Sequence, residues 1–203
     1  MLAAGLLSAF TLGFMACNSE NKQNTVQEDH QGTEHGGDHS GTAVVDVPDY
    51  SAVDQGFRGQ LNEAVTQYLK IKDGLVAAKV EDTRQAATDF INELDRIDAS
   101  KLTPEQKTFF DEHSNMAKQH AQAMVKASDI TAQRAQLDMF SSSMFSLVKA
   151  FGANNQTAYY QHCPMANEEK GAYWISQEKE IRNPYYGEKM LKCGENKETL
   201  ASK

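Results

Sequence analysis

The sequence predicts an all-α fold, an antiparallel four-helix bundle followed by an irregular, cysteine-bearing C-terminal lobe. Three observations carry that expectation. From Tyr50 to Gly152 apolar residues recur at steps of three and four, the period of an amphipathic helix. Thr103-Pro104-Glu105-Gln106 reads as a helix start, with a capping hydroxyl, a proline at the first helical position and a glutamine that closes a capping box. Beyond residue 153 the period is lost, and cysteine, methionine and aromatic residues crowd the stretch from Tyr160 to Gly194.

Taken in order, the chain divides at residues 16, 49 and 153. Residues 1–16 are apolar and too short to span a bilayer as a helix. An apolar run closed by a small residue is a secretory signal. Because Cys17 follows Ala16 directly, the segment resembles a bacterial lipoprotein signal, which implies a lipid on Cys17 and a domain anchored on the periplasmic side of a bacterial membrane. Residues 17–49 are polar, contain glycines and have few large apolar side chains, so they read as a disordered tether. Within it His30, His35 and His39 each follow an acid and lie close together. Neutral imidazoles on a pliant chain bind borderline ions such as Cu(II), Zn or Ni. A solvated spacer is the alternative.

Residues 50–153 carry the helices. Helix one is marked by Phe57, Leu61, Ala64, Tyr68, Ile71 and Leu75, and helix two by Ala87, Phe90, Ile91, Leu94 and Ile97 behind Glu81 and Asp82. Helix three follows Thr103 and runs to about Ala127. Helix four starts at Ser128 or Asp129, buries Ile130, Leu137, Phe140, Met144, Leu147 and Phe151, and stops at Gly152. Four such helices joined by short loops point to a bundle. The inward face of helix three is expected to carry His113, Met116, His120 and Met124 beside Phe109, Ala117 and Ala127. At about 100° per residue those four fall within roughly 80° of one another. They would either hold a copper ion or fill the core, the methionines as packing and the histidines as hydrogen-bonded groups. Arg134 is expected as a salt-bridge or cap partner.

Residues 154–203 carry the sulfur chemistry. Pro164 favours an extended Cys163, which would set Cys163 and Met165 on one face. Met190 and Cys193, three apart, share a face of a helical turn. Thiolate and thioether ligands together select Cu(I). Once Cys17 is set aside, an even pair remains in an exported chain, which equally suits a Cys163–Cys193 disulfide. Closing a loop of about 30 residues would contribute roughly 3.5 kcal/mol. Both readings stand open on the sequence, and the pair can alternate between them with redox state.

The chain is acidic, with a formal charge of −8 and no basic stripe, which argues against nucleic acid and anionic membrane surfaces as partners. No phosphate-binding loop, nucleophile elbow or zinc-protease helix is present, so an enzyme is not expected. His162 beside Cys163 does not change this, because neighbours on an extended chain face opposite ways.

Residues Tyr68 to Leu75, Ala132-Gln133-Arg134, Phe140-Ser141, Met144 and the stretch Cys163-Pro164-Met165 to Cys193-Gly194 together resemble a bacterial family, domain of unknown function 3347. The family occurs as lipoproteins and as an appendage on periplasmic adaptor subunits of copper/silver efflux pumps. The resemblance implies a periplasmic helical domain that works in heavy-metal efflux or resistance beside components of such a system. The expected function is therefore a membrane-tethered copper-binding or efflux-accessory domain, with copper as ligand. The alternative is a metal-free interaction module whose disulfide fixes a docking surface of Tyr173, Trp174, Tyr185 and Tyr186.

Overall fold

The structure is a computed structural model and describes residues 45–203. The signal segment, Cys17, His30, His35 and His39 lie outside those residues.

Helix α1 spans Gln55–Val76, and Asp54 caps it by accepting from the Gly56 and Phe57 amides at 2.9 and 3.3 Å. Its apolar stripe is fully buried, from Phe57 and Leu61 through Tyr68 to Ile71 and Leu75. Helix α2 (Val80–Asp95) packs along α1, and α3 (Pro104–Lys126) packs along α2. The capping box of α3 is present in both directions, Gln106 N–H to Thr103 Oγ1 at 3.3 Å and Thr103 N–H to Gln106 Oε1 at 3.0 Å.

Helix four is broken. Asp129 starts it, accepting from the Ala132 amide at 2.9 Å, but α4 ends at Arg134 and α5 runs separately over Leu137–Phe151. The break lets two side chains serve the corner between α1 and α2. Arg134 Nη2 donates to Leu75 O at 2.7 Å, and Gln133 Nε2 donates to Val80 O at 3.0 Å. Helix α1 has no basic residue in its last turn, so Arg134 supplies the cation that its C-terminal carbonyls favour. This is the cap role expected of Arg134.

The buried face of α5 meets α3 and, on its other side, the C-terminal residues. Phe90 and Phe140 pack edge to face at 4.8 Å, with Tyr68 at 5.0 Å from Phe140. At the far end Phe57, Phe110 and Phe151 form a second aromatic group.

The C-terminal residues are not irregular, so the fold is mostly helical rather than purely α. Strands β1 (Ala158–Cys163), β2 (Ala172–Ser176) and β3 (Glu195–Leu200) form an antiparallel sheet in the order β2-β1-β3. The sequence hides β1 and β2 because both faces are covered, so the expected alternation of apolar and polar residues is missing. One face packs on α5, where Tyr160 stacks on Phe145 at 3.8 Å. The other lies under the segment after β2, with Gln161, Cys163 and Trp174 all fully buried. The outer edge of β2 is closed by helix side chains. Ile175 N–H donates to Tyr68 Oη at 3.0 Å and Tyr173 N–H to Asp138 Oδ1 at 3.0 Å. Covering an edge in this way satisfies its amides and blocks further pairing. Val45 and Val47, at the start of the described residues, pack against the core, and Lys149 Nζ donates to Val45 O at 2.6 Å.

Candidate functional site

Two sequence stretches meet at the end of β1. Cys163 closes that strand opposite Ala172, and its sulfur lies 2.8 Å from the Cys193 sulfur. Both are thiols here, in contact but further apart than the roughly 2.05 Å of a disulfide bond. Cys163 is fully buried, whereas Cys193 is partly exposed.

The approach of Cys193 depends on the loop that carries it. Asn183 is buried and organises that loop alone: its Oδ1 accepts from the Tyr185 amide at 2.8 Å and its Nδ2 donates to Cys193 O at 2.8 Å. The Cys193 amide donates to Met190 O at 3.0 Å, closing the turn after the 3-10 segment Gly187–Met190. Gly194 then passes so close to β1 that a Cβ there would sit 2.8 Å from His162 O and 2.9 Å from Trp174 Cη2. Its φ of +142° also falls where only glycine rests comfortably. Gly187 has the same role against the helices, where a Cβ would meet Arg134 Nη2 and Val76 O at 2.8 Å.

On the other side of the pair the chain does not stay extended past Pro164. Met165 has helical angles, φ −83° and ψ −13°, so the shared face expected for Cys163 and Met165 does not exist. Instead Met165 O accepts from the Tyr186 hydroxyl. Asn167, Glu168 and Glu169 follow in left-handed conformation at φ +53°, +57° and +65°. Three consecutive non-glycine residues there store strain, which tends to gather at functional sites. Met190 occupies the turn position expected from its spacing to Cys193. Both thioethers are exposed, Met165 by 43% and Met190 by 36%.

The neighbourhood disfavours charge. The hydrogen bond to Cys163 and then burial push the Cys193 thiol up to about 11, against the Met165 amide, which pulls it down. Tyr186 is raised by burial and by the two cysteines. On its far side, Tyr185 and Tyr186 line a cavity of about 520 Å³ with Arg134, Asp138 and Met139.

His162 faces away from Cys163, stacked on Tyr173 at 4.3 Å, as strand alternation requires. Trp174 is fully buried and Tyr185 donates to Tyr173 O at 2.6 Å. Trp174 is thus part of the lobe's core, whereas Tyr173, Tyr185 and Tyr186 pack against it and stay partly exposed.

The stripe on α3 sits differently from its expectation. The buried face is Phe110, Ser114, Ala117, Ala121 and Met124, so His113, Met116 and His120 lie at its half-exposed edge. The period is right and the phase is off, because Phe110 rather than Phe109 enters the core. His120 Nδ1–H donates to Gln136 Oε1 at 3.0 Å, and His113 packs on Phe109 at 4.3 Å, its pKa lowered by burial. Among the described residues no group of three or more His, Cys, Asp and Glu side chains is placed to hold a metal ion. No helix among them is long and apolar enough to cross a membrane.

The sequence places Tyr68 on the apolar stripe of helix one but does not show the hydrogen bonds that Tyr68, Asp138 and Asn183 make. Only Asn183, ahead of a proline in a turn, carried a local signal.

Fold and site together define a helical domain that supports a small, thiol-bearing sheet lobe. Residues 64–156 match the family described as "Protein of unknown function (DUF3347)", the family that the sequence resembles. The match ends before Cys163 and leaves out the sulfur pair. No curated protein and no solved structure matches the chain.

Proposed function

We propose that this chain is a lipid-anchored accessory domain of heavy-metal handling on the periplasmic side of a bacterial membrane. Cys163 and Cys193 are its working groups. Oxidised, they close a disulfide that fastens the lobe. Reduced, they offer Cu(I) two thiolates, with Met165 and Met190 on the rim. The helices act as an antiparallel bundle that holds the lobe, the tether histidines collect ions, and the partners are periplasmic components of an efflux system. The domain binds and passes metal without turnover.

The observation that carries this reading is the setting of the sulfur pair. Thiols 2.8 Å apart lie between the turns at Met165 and Met190, each presenting an exposed thioether, and the Met190 turn is tied to Cys193 by a backbone hydrogen bond. Soft ligands of this kind hold Cu(I). The resemblance supplies the efflux context.

Native mass spectrometry of the chain from Ser19 onward, before and after Cu(I) addition under mild reduction, tests it. Copper retained by the reduced protein and lost in a Met165→Leu, Met190→Leu double variant is the expected result. A disulfide that survives reduction, with no copper taken up, would favour the competing reading of a metal-free interaction module.

A further inference from the structure

The two sulfurs are not equivalent. Cys163 is fixed in a strand and buried, while Cys193 is partly exposed on a loop. The backbone of Cys193 is held from both sides, by Met190 O and by Asn183 Nδ2, so its side chain stays aimed at Cys163.

We propose that the pair is a directional exchange site for low-molecular-weight disulfides and thiols, in which Cys193 takes the incoming sulfur and Cys163 resolves it. This rests on the reading of the pair as reversibly oxidised and does not depend on copper.

The chemistry balances in two steps. Cys193 gives its proton to solvent, and its sulfur attacks one sulfur of a small disulfide. The S–S bond of that molecule breaks, a mixed disulfide forms on Cys193, and one thiolate leaves and is protonated. Cys163 then loses its proton and attacks the Cys193 sulfur at close range, expelling the second small thiol. Two protein thiols are oxidised and one small disulfide is reduced to two thiols. In reverse, a small thiol attacks Cys193, the sulfur it can reach. Exchange needs access to the partner sulfur, and burial keeps Cys163 from any small molecule, so that it meets the partner sulfur only once that sulfur is carried on Cys193.

The test uses the full chain, reduced and kept metal-free with a chelator, and glutathione disulfide as the probe. Peptide mapping then locates each modified cysteine. Wild type should form the Cys163–Cys193 bond without accumulating a mixed disulfide. Cys163→Ser should trap the glutathionyl group on Cys193. Cys193→Ser should leave Cys163 unmodified, slower by more than about tenfold than Cys193 in the other variant, and become reactive in urea. Brief alkylation of reduced wild type, which needs no variant to fold, should label Cys193 ahead of Cys163. Equal labelling of both cysteines, or a folded Cys193→Ser chain modified as fast as Cys163→Ser, would overturn the proposal. The outcomes for copper are separate. Directional closure in a protein that never takes up Cu(I) sinks the copper reading alone, and Cu(I) uptake with equal alkylation sinks this one alone.

Discussion

The helical part and the sheet lobe are held together by different physics. In the helices most of the work is done by apolar side chains in period, such as Phe57, Leu61, Tyr68, Ile71 and Leu75 on α1, all buried. Such a core tolerates many sequences and is sensitive to volume. In the lobe single polar atoms decide. Asn183 fixes a whole loop, and Gln161 Nε2 ties β1 to Glu178 O at 2.9 Å and Asn196 Oδ1 at 3.0 Å. Tyr68 and Asp138 close the β2 edge, and two sulfurs pin the end. Destabilisation should therefore spread through the helices and stay local in the lobe, and substitutions can break or sharpen that contrast.

The largest effect should come from Phe140→Ala. Phe140 is fully buried between Phe90 and Tyr68, and truncating such a ring leaves a cavity that costs about 3–5 kcal/mol. Denaturant unfolding followed by helical circular dichroism and by Trp174 emission should shift together. A lobe signal that stayed at its wild-type midpoint would separate the two parts more sharply than we describe.

Cys163→Ala should come next under oxidising conditions. Losing the loop closure costs roughly 3.5 kcal/mol in the chain-entropy account, but the loss should fall on the lobe. Hydrogen exchange should quicken at the amides of β1, β2 and β3 and change little in α1 to α3. Equal loss of protection in α1 would dissolve the distinction.

Tyr68→Phe probes the joint between the parts. Its hydroxyl meets Ser141 Oγ at 2.6 Å and accepts the Ile175 amide, so removing it leaves two buried groups without that partner. The expected cost is about 1–3 kcal/mol. The Ile175 amide should show the largest exchange change. An effect below about 0.5 kcal/mol would mean that the β2 edge is held by Asp138 and packing alone.

The same contrast explains what the sequence makes legible. Helix starts and stripes follow from local chemistry, and Thr103, Asp129 and the α1 positions behave as their spacing dictates. The phase of α3 and the break at Arg134 do not, because tertiary packing sets the first and the partners Leu75 O and Val80 O accompany the second. In the lobe, the nearness of Cys163 and Cys193 is legible from their number once Cys17 is set aside. The strand beneath them is not, since Ala158 to Cys163 is covered on both faces and carries no alternation. Met165 does not share the face of Cys163 that an extended chain predicts, because the chain turns at Pro164 rather than running on.

The smallest expected effect is also the one that compares the two parts most directly. His162 in the lobe and His113 on α3 both have pKa values below the ordinary one, His162 through burial and then Lys197, against Glu195 and Asp138, and His113 through burial against Glu112. A folded pKa below the unfolded value of about 6.5 means that the unfolded chain binds the proton first. Each histidine's contribution is fully present above about pH 7 and is lost as pH falls through the lowered folded value. The carboxylates that are held low, such as Asp54 and Asp129, titrate well below this window and do not obscure it. His162→Gln should therefore flatten the acid-side loss of lobe protection, read by exchange at β1 and β2 amides between about pH 7 and 5. His113→Gln should flatten it in α3 and leave the lobe unchanged. If either substitution altered both regions equally, the two parts would be titrating as one cooperative unit, and the lobe's independence would rest on its sulfur pair alone.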